Sequence, residues 1–170
     1  NRSAGKEETD EKTPREEDMA CTGNMWGNHG ADLAFDQIFQ MGDGGFHANN
    51  GGINEKLTVD YGNAYLFDKI EYYPRDDAGN GTVTKMLVET SLDGVHWIQH
   101  GPDTDTDGRK VNHFATANTM KTIELSEPNP GSETIGARSI RLTALAYVGT
   151  LSSHSYIQPA STAAHNRHAT

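Results

Sequence analysis

Cysteine is almost absent from this sequence. The 170 residues include one, Cys21, so neither an intramolecular disulfide nor a multi-cysteine zinc site can form. That count argues neither for nor against an oxidising compartment. Long apolar runs are missing as well. No stretch of about 18 apolar residues occurs, so no segment has the pattern of a membrane-spanning helix. Positive charge is scarce: 14 Lys and Arg stand against 24 Asp and Glu, a net charge of -10. Nucleic-acid binding needs a basic face to meet phosphates, and adhesion to anionic lipid by charge needs basic clusters. Both are disfavoured, and the acid excess is read as solubility.

Hydrophobic residues are also few, 34% of the chain with a mean hydropathy of -0.70, and part of that deficit is local. Residues 1–18, NRSAGKEETDEKTPREED, hold no large apolar side chain and mix seven acids with four bases. Such a segment cannot bury enough surface to offset the entropy of ordering it. Residues 1–19 are therefore expected to be an acidic disordered linker or tail, and residues 159–170, PASTAAHNRHAT, a flexible C-terminal tail. The span between them, 20–158, is long enough for one core. A chain that begins inside a linker is expected to be a piece of a longer protein.

Helix signals are thin. GADLAFDQIFQM carries Leu33, Phe35, Ile38 and Phe39 at loosely helical spacing between glycines, which predicts a turn or a short helix. Strand signals are many. EKLTVDYG alternates Leu57, Val59 and Tyr61 with polar residues. YLFDKIEYY sets Leu66, Ile70 and Tyr72 on one phase and Phe67 and Tyr73 on the other. TVTKMLVETS offers Val83, Met86 and Val88. KTIELS and ARSIRLTALAY add Ile123, Leu125, Ile140, Leu142 and Ala144. In DGVHWIQHG, Trp97 lies in a strand context and is expected in the core. Short alternating strands separated by Gly, Asp, Asn and Pro turns predict an all-β fold, an antiparallel β-sandwich or barrel.

The order and spacing of DLAFDQ, GGFHANN, EKLTVDYG, YLFDKIEYYPRDDAGNGTVTKMLVETSLDGVHW and ARSIRLTALAYVG resemble the discoidin, or coagulation factor 5/8 type C, domain. More narrowly, they resemble the bacterial family 32 carbohydrate-binding modules that share its fold. The resemblance covers roughly Ala20 to Gln158. It implies a jelly-roll-like sandwich of the galactose-binding-domain type, with a ligand site in loops at one end and no catalysis. It also implies a monomeric extracellular module, attached to the catalytic domain of a glycosidase or a glycan-directed peptidase. Its ligands would be glycans ending in galactose- or N-acetylgalactosamine-type sugars.

Carried onto this sequence, the resemblance places sugar contacts at His47, Arg75 and Asn80, with Asn49 on the same rim. The residue chemistry fits. An axial 4-hydroxyl beside an equatorial 3-hydroxyl calls for convergent donors and acceptors, which Arg, Asn and neutral His supply. A site built to pair those hydroxyls rejects epimers by leaving its own polar groups unpaired. Read without the resemblance, Arg75 is equally a loop charge beside Asp76 or Asp77, and Asn80 is a turn residue in GNGT. A sugar's apolar face also needs an aromatic platform. The place that many relatives give to an aromatic holds Leu151 here, which leaves Trp26, in GNMWGNHG, and Tyr147 as candidates. The resemblance further implies a structural calcium ion. Its oxygen ligands would include Asp36 and Asp43, with Tyr156 standing where the family's completing glutamate is expected. GPDTDTDGRK has the opening of an EF-hand loop in Asp103, Asp105 and Asp107, but Phe114 stands where the glutamate belongs, so it is read as a solvated acidic loop. His96, His100 and His113 show no metal spacing. The rival readings are a discoidin-type protein- or lipid-binding adhesion domain, and a structural spacer whose site has decayed.

Overall fold

The computed structural model describes residues 18–24, 30–34, 53–74, 79, 81–125 and 135–149, together with the backbone of 160–164. Residues 1–17 of the expected acidic tail lie outside these. Among the described residues ten strands are formed, all paired antiparallel: β1 (Ala20–Gly23), β2 (Lys56–Phe67), β3 (Lys69–Tyr73), β4 (Val83–Ser91), β5 (Ile98–His100), β6 (Asp103–Thr104), β7 (Lys110–His113), β8 (Lys121–Glu124), β9 (Ile135–Tyr147) and β10 (Ala160–Ala164). A single 3-10 turn, Ala31–Ala34, is all that the described residues show of the expected short helix.

The larger sheet runs β1-β2-β9-β4-β7-β6, with β5 also on β4; the smaller runs β10-β3-β8. Alternation decides what lies between them. Leu57, Val59 and Tyr61 from β2, Met86 and Val88 from β4, and Ile140, Leu142 and Ala144 from β9 meet Ile70 and Tyr72 of β3 and Ile123 beside them in one apolar core. The sandwich expected from the sequence is thus formed. Residues 160–164, in the segment read as a flexible tail, form the edge strand β10, pairing with Ile70 to Tyr73.

One expected phase is corrected. Leu66 does not share a face with Ile70 and Tyr72: it is exposed, whereas Phe67 is fully buried. The chain leaves the large sheet at Phe67 and enters the small one at Lys69, and the Asp68 carbonyl at the crossing accepts the Leu125 N–H at 3.0 Å. A strand that changes sheets must turn over, so its buried parity changes at that residue.

A second irregularity lies in β2, where the register against β9 slips between Asp60 and Tyr65. Asp60 organises it. Its Oδ1 accepts the Gly62 N–H at 2.9 Å and Arg138 Nε at 2.9 Å, while Oδ2 accepts a second Arg138 nitrogen at 3.2 Å. Gly62 sits at φ 80°, and a Cβ there would stand 3.0 Å from the Asp18 carbonyl oxygen.

Candidate functional site

The strand register places several connections at one end of the sandwich. Strand β3 stops at Tyr73, and the buried Pro74 that follows cannot donate to a further ladder bond. The chain returns at Gly79, whose carbonyl accepts both the backbone N–H of Thr82, at 3.1 Å, and its hydroxyl, at 2.8 Å. Between them Gly81 sits at φ 90°, the conformation required of the third residue in a type II turn. Its N–H donates to the Val148 carbonyl at 2.8 Å, and the Val148 N–H donates to the Thr82 carbonyl at 2.9 Å. Val83 then opens β4 opposite Tyr147, the last residue of β9.

The other connections arrive at the same end. Strand β1 finishes with Gly23 opposite Leu57, and Asn24 Nδ2 reaches Glu55 Oε1 at 3.4 Å. Asn54 enters β2 at φ 65°, its N–H donating to the Ala144 carbonyl at 2.8 Å. Ala160 opens β10 opposite Tyr73, and Lys121 opens β8 opposite Tyr72. The described flanks of 25–29, 75–80 and 150–159, and the flank that closes 35–52, therefore converge.

Those are the connections that carry the sequence-predicted site. His47, Asn49, Arg75, Asn80 and Trp26 lie outside the described residues, as do Asp36 and Asp43, the calcium candidates, and Leu151 and Tyr156. Tyr147 is described. It is half-buried at the end of β9, directly across from Val83 and one residue from the Val148 contact with Gly81. Beneath this end Tyr72 is fully buried, its ring 5.6 Å from that of Phe114. Burial pushes its hydroxyl pKa well above the ordinary range, only partly offset by a hydrogen bond with the Val83 backbone. Tyr72 is thus a neutral, packed prop under the chain that leads to Arg75.

One element at this end gave no signal in sequence. Residues 114–120 connect β7 to β8, carry no motif, and present Met120 to solvent; His113 is exposed just before them. Other readings change. Trp97 is not in the core: it precedes β5 and lies half-buried on the outer face of the large sheet, with the Arg141 guanidinium 3.9 Å from its ring centroid. Arg141 also forks onto Glu89, Nε meeting Oε2 at 3.0 Å. A ring capped by a cation that is itself tied to a carboxylate is satisfied at the surface of the sheet.

The acidic loop is solvated only in part. Asp107 is open, but the Asp105 side chain is almost wholly covered. Asp105 Oδ1 accepts the backbone N–H groups of Asp107 and Arg109 at 3.0 and 2.9 Å, and Oδ2 accepts Arg109 Nε at 2.9 Å and Lys85 Nζ at 3.3 Å. Burial raises its pKa, but these donors outweigh it and hold the carboxyl well below the usual range. Asp105 is the anchor of the β6–β7 hairpin.

Among the described residues, the histidines make separate contacts. His100 is fully buried with Nε2 2.7 Å from Thr90 Oγ1, while the exposed His96 pairs with Asp93 at 2.6 Å. The Asp93–His96 pair rims a shallow apolar cleft of about 200 Å³ lined by Leu92, Ile98 and Gly136, beyond the Ser91 end of β4 and away from the loop cluster. Cys21 is half-buried against the core. Among the described residues, no group of three His, Cys, Asp or Glu could hold a metal ion.

The two-sheet antiparallel fold has counterparts among known proteins. The model of the F5/8 type C domain matches residues 18–157, and the chain belongs to that family. Among solved structures, CBM32-1 from a family 31 glycoside hydrolase of Clostridium perfringens superposes with a TM-score of 0.70 at 20% identity, covering 90% of this chain and 97% of its own. The family 32 module of C. perfringens NanJ, in complex with galactose, gives a TM-score of 0.67 at 20% identity over 88% and 94%. The C. perfringens module CpGH89CBM32-5, in complex with GalNAc-beta-1,3-galactose, gives 0.65 at 19% over 86% and 94%. The chain therefore has the fold of family 32 carbohydrate-binding modules. Curated protein sequences give no significant match.

Proposed function

We propose that this chain is a non-catalytic carbohydrate-binding module of the family 32 type, recognising glycans that end in galactose- or N-acetylgalactosamine-type sugars. The observation that carries the proposal is the convergence at one end of the sandwich: Pro74, the Gly79–Thr82 turn, the Tyr147–Val148 strand end and the entry to β2 at Asn54 all stand there. The sequence runs from those flanks into the stretches holding His47, Arg75 and Asn80. Modules of this fold in complex with galactose and with GalNAc-beta-1,3-galactose support the sugar class.

In this reading Arg75 donates to vicinal hydroxyls, Asn80 both donates and accepts, neutral His47 closes the third side with Asn49 on the rim, and Tyr147 or Trp26 carries the apolar face. Nothing in it requires a nucleophile or a general acid. The module would hold an attached extracellular glycan-active enzyme on its substrate by adding a second point of attachment. Calcium belongs to the proposal as a structural ion. Asp36 and Asp43 offer the hard oxygen donors it prefers, and a lowered melting temperature on chelation is its check.

A glycan array is the direct test, with Arg75→Ala as the control. The expected result is selective binding to galactose-type termini that Arg75→Ala abolishes at an unchanged melting temperature. Binding that survives Arg75→Ala intact overturns the assignment of the site.

A further inference from the structure

The large apolar side chains that the described residues expose are Ile53, Leu66, Leu92, Val95, Ile98 and Met120, and four of these six gather around one turn. Leu92 and Val95 lie in the turn between β4 and β5, and Ile98 opens β5 behind it. Leu66 reaches the same place from β2. It pairs with Gly136 of β9, where a Cβ would stand 3.9 Å from a methyl of Leu66 and 3.9 Å from a methyl of Leu92. Gly136 therefore sits between two exposed leucines. Its missing side chain opens the cleft of about 200 Å³ that Leu92 and Ile98 also line. Clustering of this kind, in a chain only 34% hydrophobic, marks an interaction surface.

The patch holds both halves of two contacts. Val95, 74% exposed, is carried beside the cleft on a fixed turn. Asp93 Oδ1 accepts the Val95 and His96 N–H groups, each at 2.8 Å, and the Ser91 hydroxyl at 3.1 Å. Ser91 Oγ in turn accepts the Gly94 N–H at 2.8 Å. On the rim an acid stands beside a base, Asp93 Oδ2 lying 2.6 Å from His96 Nδ1. The hydrogen bond and charge of Asp93 raise the His96 pKa, which widens the pH range in which the rim carries both signs.

We propose that this end of the sandwich is a self-association surface whose partner is a second copy of the chain. A two-fold interface requires a patch complementary to itself. Here the two-fold sets Val95 of each copy into the other's cleft, over Gly136, and brings the Asp93–His96 pairs together with opposite signs facing. A side chain on a rigid turn loses little freedom on docking. The net charge of -10 on each copy opposes the approach, but that repulsion is screened beyond about 8 Å at physiological ionic strength. Few side chains carry the contact, so it is weak and reversible. Because the patch lies at the Ser91 end of β4, pairing there leaves the Val83 and Tyr147 ends of both copies uncovered. This surface is independent of the sugar site, and it departs from the monomer that the family resemblance implies.

The test is sedimentation equilibrium of the full chain under reducing conditions, which keep Cys21 from linking copies covalently. Wild-type protein is expected to dimerise with a dissociation constant on the order of 0.1–1 mM. Val95→Glu, at an exposed turn position, is expected to weaken the dimer at least about tenfold at an unchanged melting temperature. Gly136→Leu, which fills the cleft, should do the same. Amide chemical shifts followed against protein concentration should move at Leu92 to Ile98 and at Gly136, and should stay fixed at Gly81 and Val148. Association of Val95→Glu equal to wild type overturns the proposal, as do shifts centred away from this turn. A wild-type chain that stays monomeric to about 2 mM also overturns it, and leaves the patch to a different partner.

Discussion

The guanidinium of Arg141 stands 3.9 Å from the centroid of the Trp97 ring and at the same time forks onto Oε2 of Glu89. The three residues come from β9, from the approach to β5 and from β4, and they cover the outer face of the large sheet where Glu89 is 6% exposed. Removing the cation leaves a nearly buried carboxylate without its partner. Arg141→Ala is expected to cost about 2–3 kcal/mol in urea unfolding. Arg141→Lys recovers only part of this, because an ammonium lacks the planar fork and stacking surface. The double change Glu89→Gln with Arg141→Met recovers most of it, since no charge is then left buried. In the proposed sugar-binding reading, affinity should be the same in all of these variants, because the stack belongs to the scaffold.

Trp97 also marks the limit of what was legible in the sequence. Alternation located most strands, because a half-buried strand must repeat its apolar residues with period two. Val59, Met86, Val88, Ile140 and Leu142 are core residues for that reason. Alternation cannot show that a chain changes sheets, so by period two Leu66 falls on the face of Ile70, although the crossing at Asp68 turns it to solvent. It also cannot tell an aromatic packed between sheets from one packed under an arginine 44 positions away in sequence. The β6–β7 hairpin was legible as an acidic loop but not as one whose middle carboxylate is covered, because Lys85 approaches Asp105 from another strand. Of the predicted sugar contacts, the structure describes Tyr147 and the flanks of the others. The order of motifs pointed to the loop end, and the register of β2, β4 and β9 shows why those flanks meet.

Asp105 gives the fold an acid-sensitive contact. Its carboxyl is held below the ordinary range in the folded chain, whereas an unfolded Asp titrates near about 3.9. The sign follows from linkage. A depressed folded pKa contributes stability that is fully present above the unfolded value and is lost as pH falls through the folded one. Wild-type protein should therefore lose stability steadily below about pH 5. Asp105→Asn should start lower at neutral pH and show a shallower acid slope. Urea midpoints measured from neutral pH down to strongly acidic buffer check this; parallel slopes for the two proteins would remove Asp105 from the account.

Tyr147 is the candidate platform that the described residues place at the loop end. It closes β9 across from Val83, and the next residue, Val148, is bonded to both Gly81 and Thr82. A ring carried by a paired strand end loses little freedom when a sugar settles on it, so the contact is favoured over one from an unpaired segment. In the proposed site Tyr147→Ala should weaken galactose binding about tenfold, and Tyr147→Phe should retain most of the affinity because the face of the ring is kept. Trp97→Ala, on the outer face of the sheet, should leave affinity unchanged while lowering stability. Calorimetric titration of the three variants beside Trp26→Ala separates the platforms. A loss confined to Trp26→Ala would move the sugar's apolar face from the end of β9 to the connection after β1.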